Sequence, residues 1–161
     1  GHYLDPDLKN TAPTSFCIGV AGYPEKHFEA PNLRSDMVNL KRKVDAGACY
    51  IVTQMFFDNE KFYAFRDALR AMGVTVPLIP GIKPVSAMTD VNLLPQTFHI
   101  DMPEELVHEL SKCRSDDEAR EVGIEWATVQ SRDLLKNEVP GIHYYTLGRS
   151  DNIARIVKAS F

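Results

Sequence analysis

Apolar residues gather along the chain into four short runs separated by longer amphipathic stretches. The runs are FCIGVAGY (16–23), CYIVTQMF (49–56), VPLIPGIK (76–83) and IHYYTLG (142–148), and each reads as a strand. In the first, the unbroken apolar stretch before Tyr23 and Pro24 predicts burial on both faces, and Gly-Tyr-Pro forbids its continuation. Between the runs the apolar period changes to that of a helix. Asn32 or Ser35 caps a helix closing at Gly47, with Met37, Leu40 and Val44 as its buried stripe; Asp58 caps a second closing at Gly73. Asp101 with Pro103 opens PEELVHELSK, and Ser115 with Glu118 forms a capping box ahead of a helix reaching about Asn137. Ser150 caps a last helix carrying Ile153, Ile156 and Val157 on one stripe.

Strands alternating with helices predict an α/β fold with a parallel sheet and crossover helices. Four consecutive βα units over residues 16–161 are half of a (β/α)8 TIM-type barrel, whose usual length is roughly 250 residues. A small open four-stranded sheet is the alternative. A dinucleotide-binding sheet would show G-x-G-x-x-G at its first turn, where this chain has Tyr-Pro-Glu. Residues 1–15, with Pro6 and Pro13 and little periodicity, read as an irregular approach to the first strand.

Composition narrows the function classes. The net charge of -4 and the dispersed basic residues exclude a nucleic-acid footprint. No apolar run approaches the roughly 20 residues that span a bilayer, and the amino terminus lacks a signal-peptide layout, so a cytoplasmic protein without membrane contact is expected. Cys17, Cys49 and Cys113 include no C-x-x-C pair, which argues against a disulfide framework or a zinc site. Cys17 and Cys49 start apolar runs and are expected in the core.

Ligands of parallel α/β folds sit beyond the carboxyl ends of the strands. Those ends supply Tyr23 with His27, Gln54, Lys83, and Thr146 with Arg149. Gln54 interrupts a run otherwise apolar enough to be buried, where an unpaired amide costs on the order of 1 to 3 kcal/mol, so an internal hydrogen bond or a ligand must satisfy it. On the first helix Asp36, Asn39 and Lys43 fall at i, i+3 and i+7 with Arg42 at the margin. Such a face holds a polyhydroxyl chain and a phosphate, or else is a solvated stripe whose cations favour the negative end of the helix dipole. His27 reads equally as a ligand contact or an exposed loop residue. His99, His108 and His143 read as structural, Trp126 as helix packing, and Phe56, Phe57, Phe62 and Phe65 as core. The set contains no metal cluster and no cysteine nucleophile.

The motifs VAGYPEKHFEA, DMVNLKRKVDAGA, TQMFFD, IPGIKPVS and YYTLGR, in this order and approximate spacing, resemble the carboxy-terminal half of methylenetetrahydrofolate reductases from about Phe16 onward. The resemblance implies the second half of a (β/α)8 barrel with FAD at the strand ends. It implies reduction of 5,10-methylenetetrahydrofolate to 5-methyltetrahydrofolate by NAD(P)H, with ping-pong hydride transfer through the flavin. By position it implies FAD contacts from Tyr23, His27, Ala30, Asp36, Asn39, Arg42 and Lys43, and folate or nicotinamide contacts from Gln54 and Arg149. The segment KPVSAMTDVNLLPQ departs from the family pattern, with Leu94 near the place of a stacking aromatic. The family's general-acid glutamate has no counterpart here, so no catalytic residue is assigned and the chain alone is expected to be inactive. Two open strand edges predict self-association. A nonenzymatic half-barrel assembly module is the competing function.

Overall fold

The computed structural model describes residues 14–146, 148 and 150–161, so the irregular approach is seen only at Thr14 and Ser15 and Arg149 lies outside the described residues. Strands β1 (Gly19–Gly22), β2 (Tyr50–Met55), β3 (Leu78–Ile82) and β4 (His143–Tyr144) form one parallel sheet in chain order. Helices α1 (Leu33–Asp45), α2 (Asn59–Ala71), α3 (Asp90–Phe98), α4 (Glu104–Ser111), α5 (Asp116–Lys136) and α6 (Asp151–Ser160) complete the described elements. Neighbouring strands are sequential and every connection runs through helix, which is the topology of successive units of a (β/α)8 barrel.

The helix starts follow the expected side-chain chemistry. Asn32 Oδ1 accepts from the Ser35 N–H at 2.9 Å, Asp58 Oδ1 from the Glu60 N–H at 2.9 Å, and Ser115 Oγ from the Glu118 N–H at 3.2 Å. Ser150 departs from expectation. Its backbone is already helical (φ -100, ψ -10), which turns the hydroxyl away from the first-turn N–H groups, and no side-chain cap forms. Helix α3 was hidden in the sequence because Pro95 sits inside it and no side chain caps its start.

Two apolar clusters hold the sheet. The larger joins Leu40, Ile51, Phe62, Phe65, Leu134 and Ile156, with Met37, Val44 and Ile153 against it, as the stripes predict. Phe56 stacks on Phe62 with ring centroids 5.3 Å apart. The second gathers Met55, Phe57, Val85, Leu94, Leu106 and Leu110. Leu94, only 2% exposed, is therefore a core residue.

Two expectations of burial fail for one reason. β1 pairs only with β2, so its outer edge is open among the described residues, and only Gly22 of its four residues is buried. Ile18 just before it is 57% exposed and Phe16 is 78% exposed. Cys17 and Cys49 lie at that end and are exposed, not core. A hydrogen bond made with Cys49 by the protonated thiol, with some loss of solvation, pushes the Cys17 thiol above its usual range.

Candidate functional site at the carboxyl ends of the strands

The chain leaves β1 through Tyr23 and Pro24 into a loop shaped by one side chain. Lys26 adopts φ 97, a conformation that costs a non-glycine residue energy. Its Nζ donates to the carbonyls of His27 (3.2 Å), Phe28 (3.3 Å) and Ala30 (2.9 Å), three charge-assisted bonds that offset the strain. The Ala30 N–H closes the turn onto the His27 carbonyl at 3.0 Å. Asp36 then fastens the loop to α1, its Oδ2 accepting the His27 N–H at 2.8 Å. Tyr23 meets the His27 ring edge-on at 4.6 Å, and Phe28 stacks on His99 at 4.9 Å, joining this loop to the end of α3. Tyr23, His27, Ala30 and Asp36 thus form one unit, and loss of solvation with the nearby Asp36 charge pushes the Tyr23 phenol up.

The rest of the helical face points to solvent. Arg42 Nη1 donates to Asn39 Oδ1 at 3.2 Å, and Lys43 is exposed one residue on. Neither cation forms an ion pair among the described residues, which leaves both available to an anion. The helix thus carries a carboxylate in its first turn, next to the aromatic loop, and two cations in its last turn, a donor set for a ligand with hydroxyl and anionic groups.

A β-bulge aims Gln54. Val52 pairs with Ile79 and Met55 with Gly81, so β2 advances three residues while β3 advances two. At the extra residue the buried Thr53 hydroxyl accepts the Gly81 N–H at 2.9 Å, freeing the Thr53 carbonyl to accept the Tyr145 hydroxyl at 2.9 Å. Gly81 is obligatory there, since a Cβ would stand 2.3 Å from the Thr53 carbonyl oxygen. Gln54 is half-buried, and its Oε1 accepts the Met55 N–H at 2.9 Å, so the internal partner accounts for half of the amide. Its amino group, which has no partner among the described residues, lies in a cleft shared with Tyr23 and His99. The sequence marked Gln54 but carried no sign of the Thr53 bulge or the Lys26 clamp, both of which depend on backbone conformation.

Beyond β3 and β4 lies a cavity of about 420 Å³ lined by Lys83, Tyr145, Thr146, Arg120, Asp151 and Asn152. Lys83, expected as an open strand-end donor, is instead buried, with Nζ 3.5 Å from Asp90 Oδ2. Asp90 Oδ2 also accepts the Ser86 N–H at 2.8 Å and its hydroxyl at 3.0 Å. His143 packs edge-on against Tyr145 at 4.6 Å, in keeping with a structural role. Loss of solvation, then charge repulsion from the ionised Tyr23 phenol, pushes the Tyr145 phenol up.

Residues 7–160 match the family profile of methylenetetrahydrofolate reductase. The chain belongs to this family. It is 39% identical over 145 residues to the 5,10-methylenetetrahydrofolate reductase of Escherichia coli, covering 89% of this chain and 48% of that protein. It is 37% identical over 146 residues to the probable methylenetetrahydrofolate reductase (NADPH) of Caenorhabditis elegans, covering 89% of this chain and 22% of the relative. The chain therefore spans half or less of the length of these family members. A solved structure of an uncharacterized Clostridium thermocellum protein, which binds two copies of 5-methyl-5,6,7,8-tetrahydrofolic acid, superposes with a TM-score of 0.56. At 18% identity, over 88% of this chain and 51% of that one, it shows a shared fold.

Proposed function

We propose that this chain supplies the flavin-contacting and folate-contacting half of a methylenetetrahydrofolate reductase, reducing 5,10-methylenetetrahydrofolate to 5-methyltetrahydrofolate with NAD(P)H. The observation that carries the reading is the unit Tyr23–His27–Ala30–Asp36 at the carboxyl end of β1, followed along the same helix by Arg42 and Lys43 in its last turn, neither in an ion pair among the described residues. FAD, when bound, supplies the carrier that takes hydride from the nicotinamide and gives it to the folate. Arg42 and Lys43 would neutralise its pyrophosphate, Asn39 and Asp36 would hold its hydroxyl groups, and the Tyr23–His27 loop would fix its position. Gln54 orients the second ligand: with Oε1 held by the Met55 N–H, its amino group is left to donate to folate or nicotinamide. Arg149, on the reading from resemblance, meets an anionic group of that ligand. The thiols, none in a disulfide among the described residues, suit the reducing cytoplasm.

Titrating the 161-residue chain with FAD and following flavin fluorescence tests this reading, with Lys43→Ala as the comparison. Saturable quenching is expected, weakened about tenfold by Lys43→Ala through loss of one charge-assisted contact. Quenching indifferent to Lys43 would remove the flavin from this helix face.

The open edge of β1, with Phe16 and Ile18 exposed beside it, supports self-association as a second part of the proposal. Light scattering at tens of micromolar should give a mass above one chain; a sharp monomer would refute it.

A further inference from the structure

On the outer layer a groove of about 670 Å³ runs between the start of α2, α4 and α5. Its floor is apolar: Val122, the half-buried Trp126 and Val129, which is 61% exposed. Six acidic residues line it and, among the described residues, no lysine, arginine or histidine does. Three of the six are engaged: Asp133 accepts from Asn59 and Tyr63, Glu109 pairs with Lys112, and Asp58 caps α2. The carboxylates of Glu60, Glu105 and Glu125 have no partner among the described residues. An apolar strip ringed by unpaired charge of one sign is half of a complementary pair.

We infer that this groove docks a basic amphipathic segment, with apolar side chains on Trp126 and Val129 and lysines or arginines against the rim glutamates. The groove's place in the fold supports a standing surface. Trp126 Nε1 donates to the Phe57 carbonyl at 3.0 Å and Gln130 Nε2 to the Phe56 carbonyl at 3.4 Å, so α5 is pinned beside the end of β2, an inner strand. Strands added at the open edge of β1 or β4 would leave this face uncovered.

Trp126 is the chain's single tryptophan, so its emission reports occupancy directly. The experiment titrates the chain with a synthetic peptide carrying leucine and lysine at helical spacing, and with a leucine and glutamate peptide of equal length. A saturable shift of Trp126 emission is expected with the lysine peptide only. The double substitution Glu105→Lys and Glu125→Lys, at exposed sites, should weaken that peptide about tenfold and admit the glutamate peptide. The inference is overturned by absence of a saturable shift, by equal response to both peptides, or by unchanged preference in the double variant. A shift that grows with protein concentration alone would also overturn it, assigning the groove to a second copy.

Discussion

Gly123→Ala should lower the urea unfolding midpoint by an amount equivalent to about 2 to 4 kcal/mol, although alanine is the better helix former. Gly123 is buried in the middle of α5, and a Cβ there would stand 2.1 Å from the Val85 carbonyl oxygen, 2.8 Å from its carbon and 2.9 Å from its nitrogen. All three are main-chain atoms, so no side-chain rotation relieves the contact. Relief requires α5 to retreat or the segment after β3 to shift. Retreat would pull Trp126 from the Phe57 carbonyl and stretch the 2.8 Å bond between the Tyr144 hydroxyl and Ser131. A shift of the segment would disturb Lys83, Ser86 and Asp90. The helix-propensity gain of about 1 kcal/mol is smaller than any of these combinations. Val129→Ala, at an exposed position of the same helix, should stay within about 0.5 kcal/mol of the parent. Equal midpoints for Gly123→Ala and the parent would show that α5 does not pack this closely.

The strands and most helices were legible because their signals are local. Asn32, Asp58 and Ser115 cap helices by short-range hydrogen bonds, and Met37, Leu40 and Val44 reach the core by periodicity alone. What failed depended on partners distant in sequence. The apolar run ending at Ala21 says nothing about which strand covers its outer side, so β1 was expected buried and has only Gly22 buried. Cys17 and Cys49 shared that fate. At the site, resemblance to the family singled out Tyr23, His27 and Asp36 together, and the structure brings them into contact. It could not foresee that Gln54 stands at a bulge, because the extra residue is defined by the register of β3. Nor could Lys26 be recognised as the clamp of the loop, since its role arises from a positive φ and three carbonyls.

Lys83→Met should cost about 3 kcal/mol, and the second change Asp90→Asn should recover part of it. The Lys83 and Asp90 side chains are 6% and 10% exposed, with 3.5 Å between Nζ and Oδ2. Removing the cation alone leaves a buried carboxylate without its counter-charge, and such breaks cost about 3 to 5 kcal/mol. The lower figure applies because the Ser86 N–H and hydroxyl still donate to Asp90. In the double variant the neutral amide retains an acceptor for those donors and carries no charge to strand, so the loss should be smaller than for Lys83→Met alone. Urea midpoints of the parent, Lys83→Met, Asp90→Asn and the double variant close the cycle. If the double variant lost as much as Lys83→Met and Asp90→Asn together, the pair would not be coupled, and Lys83 would owe its position to something else in the cavity beyond β3. Coupling would instead mean that the ion pair anchors the segment from Pro84 to Asp90 over the carboxyl end of β3. Lys83 would then act on any ligand there by fixing the wall of the cavity, and its removal should loosen ligand binding no more than it loosens the fold.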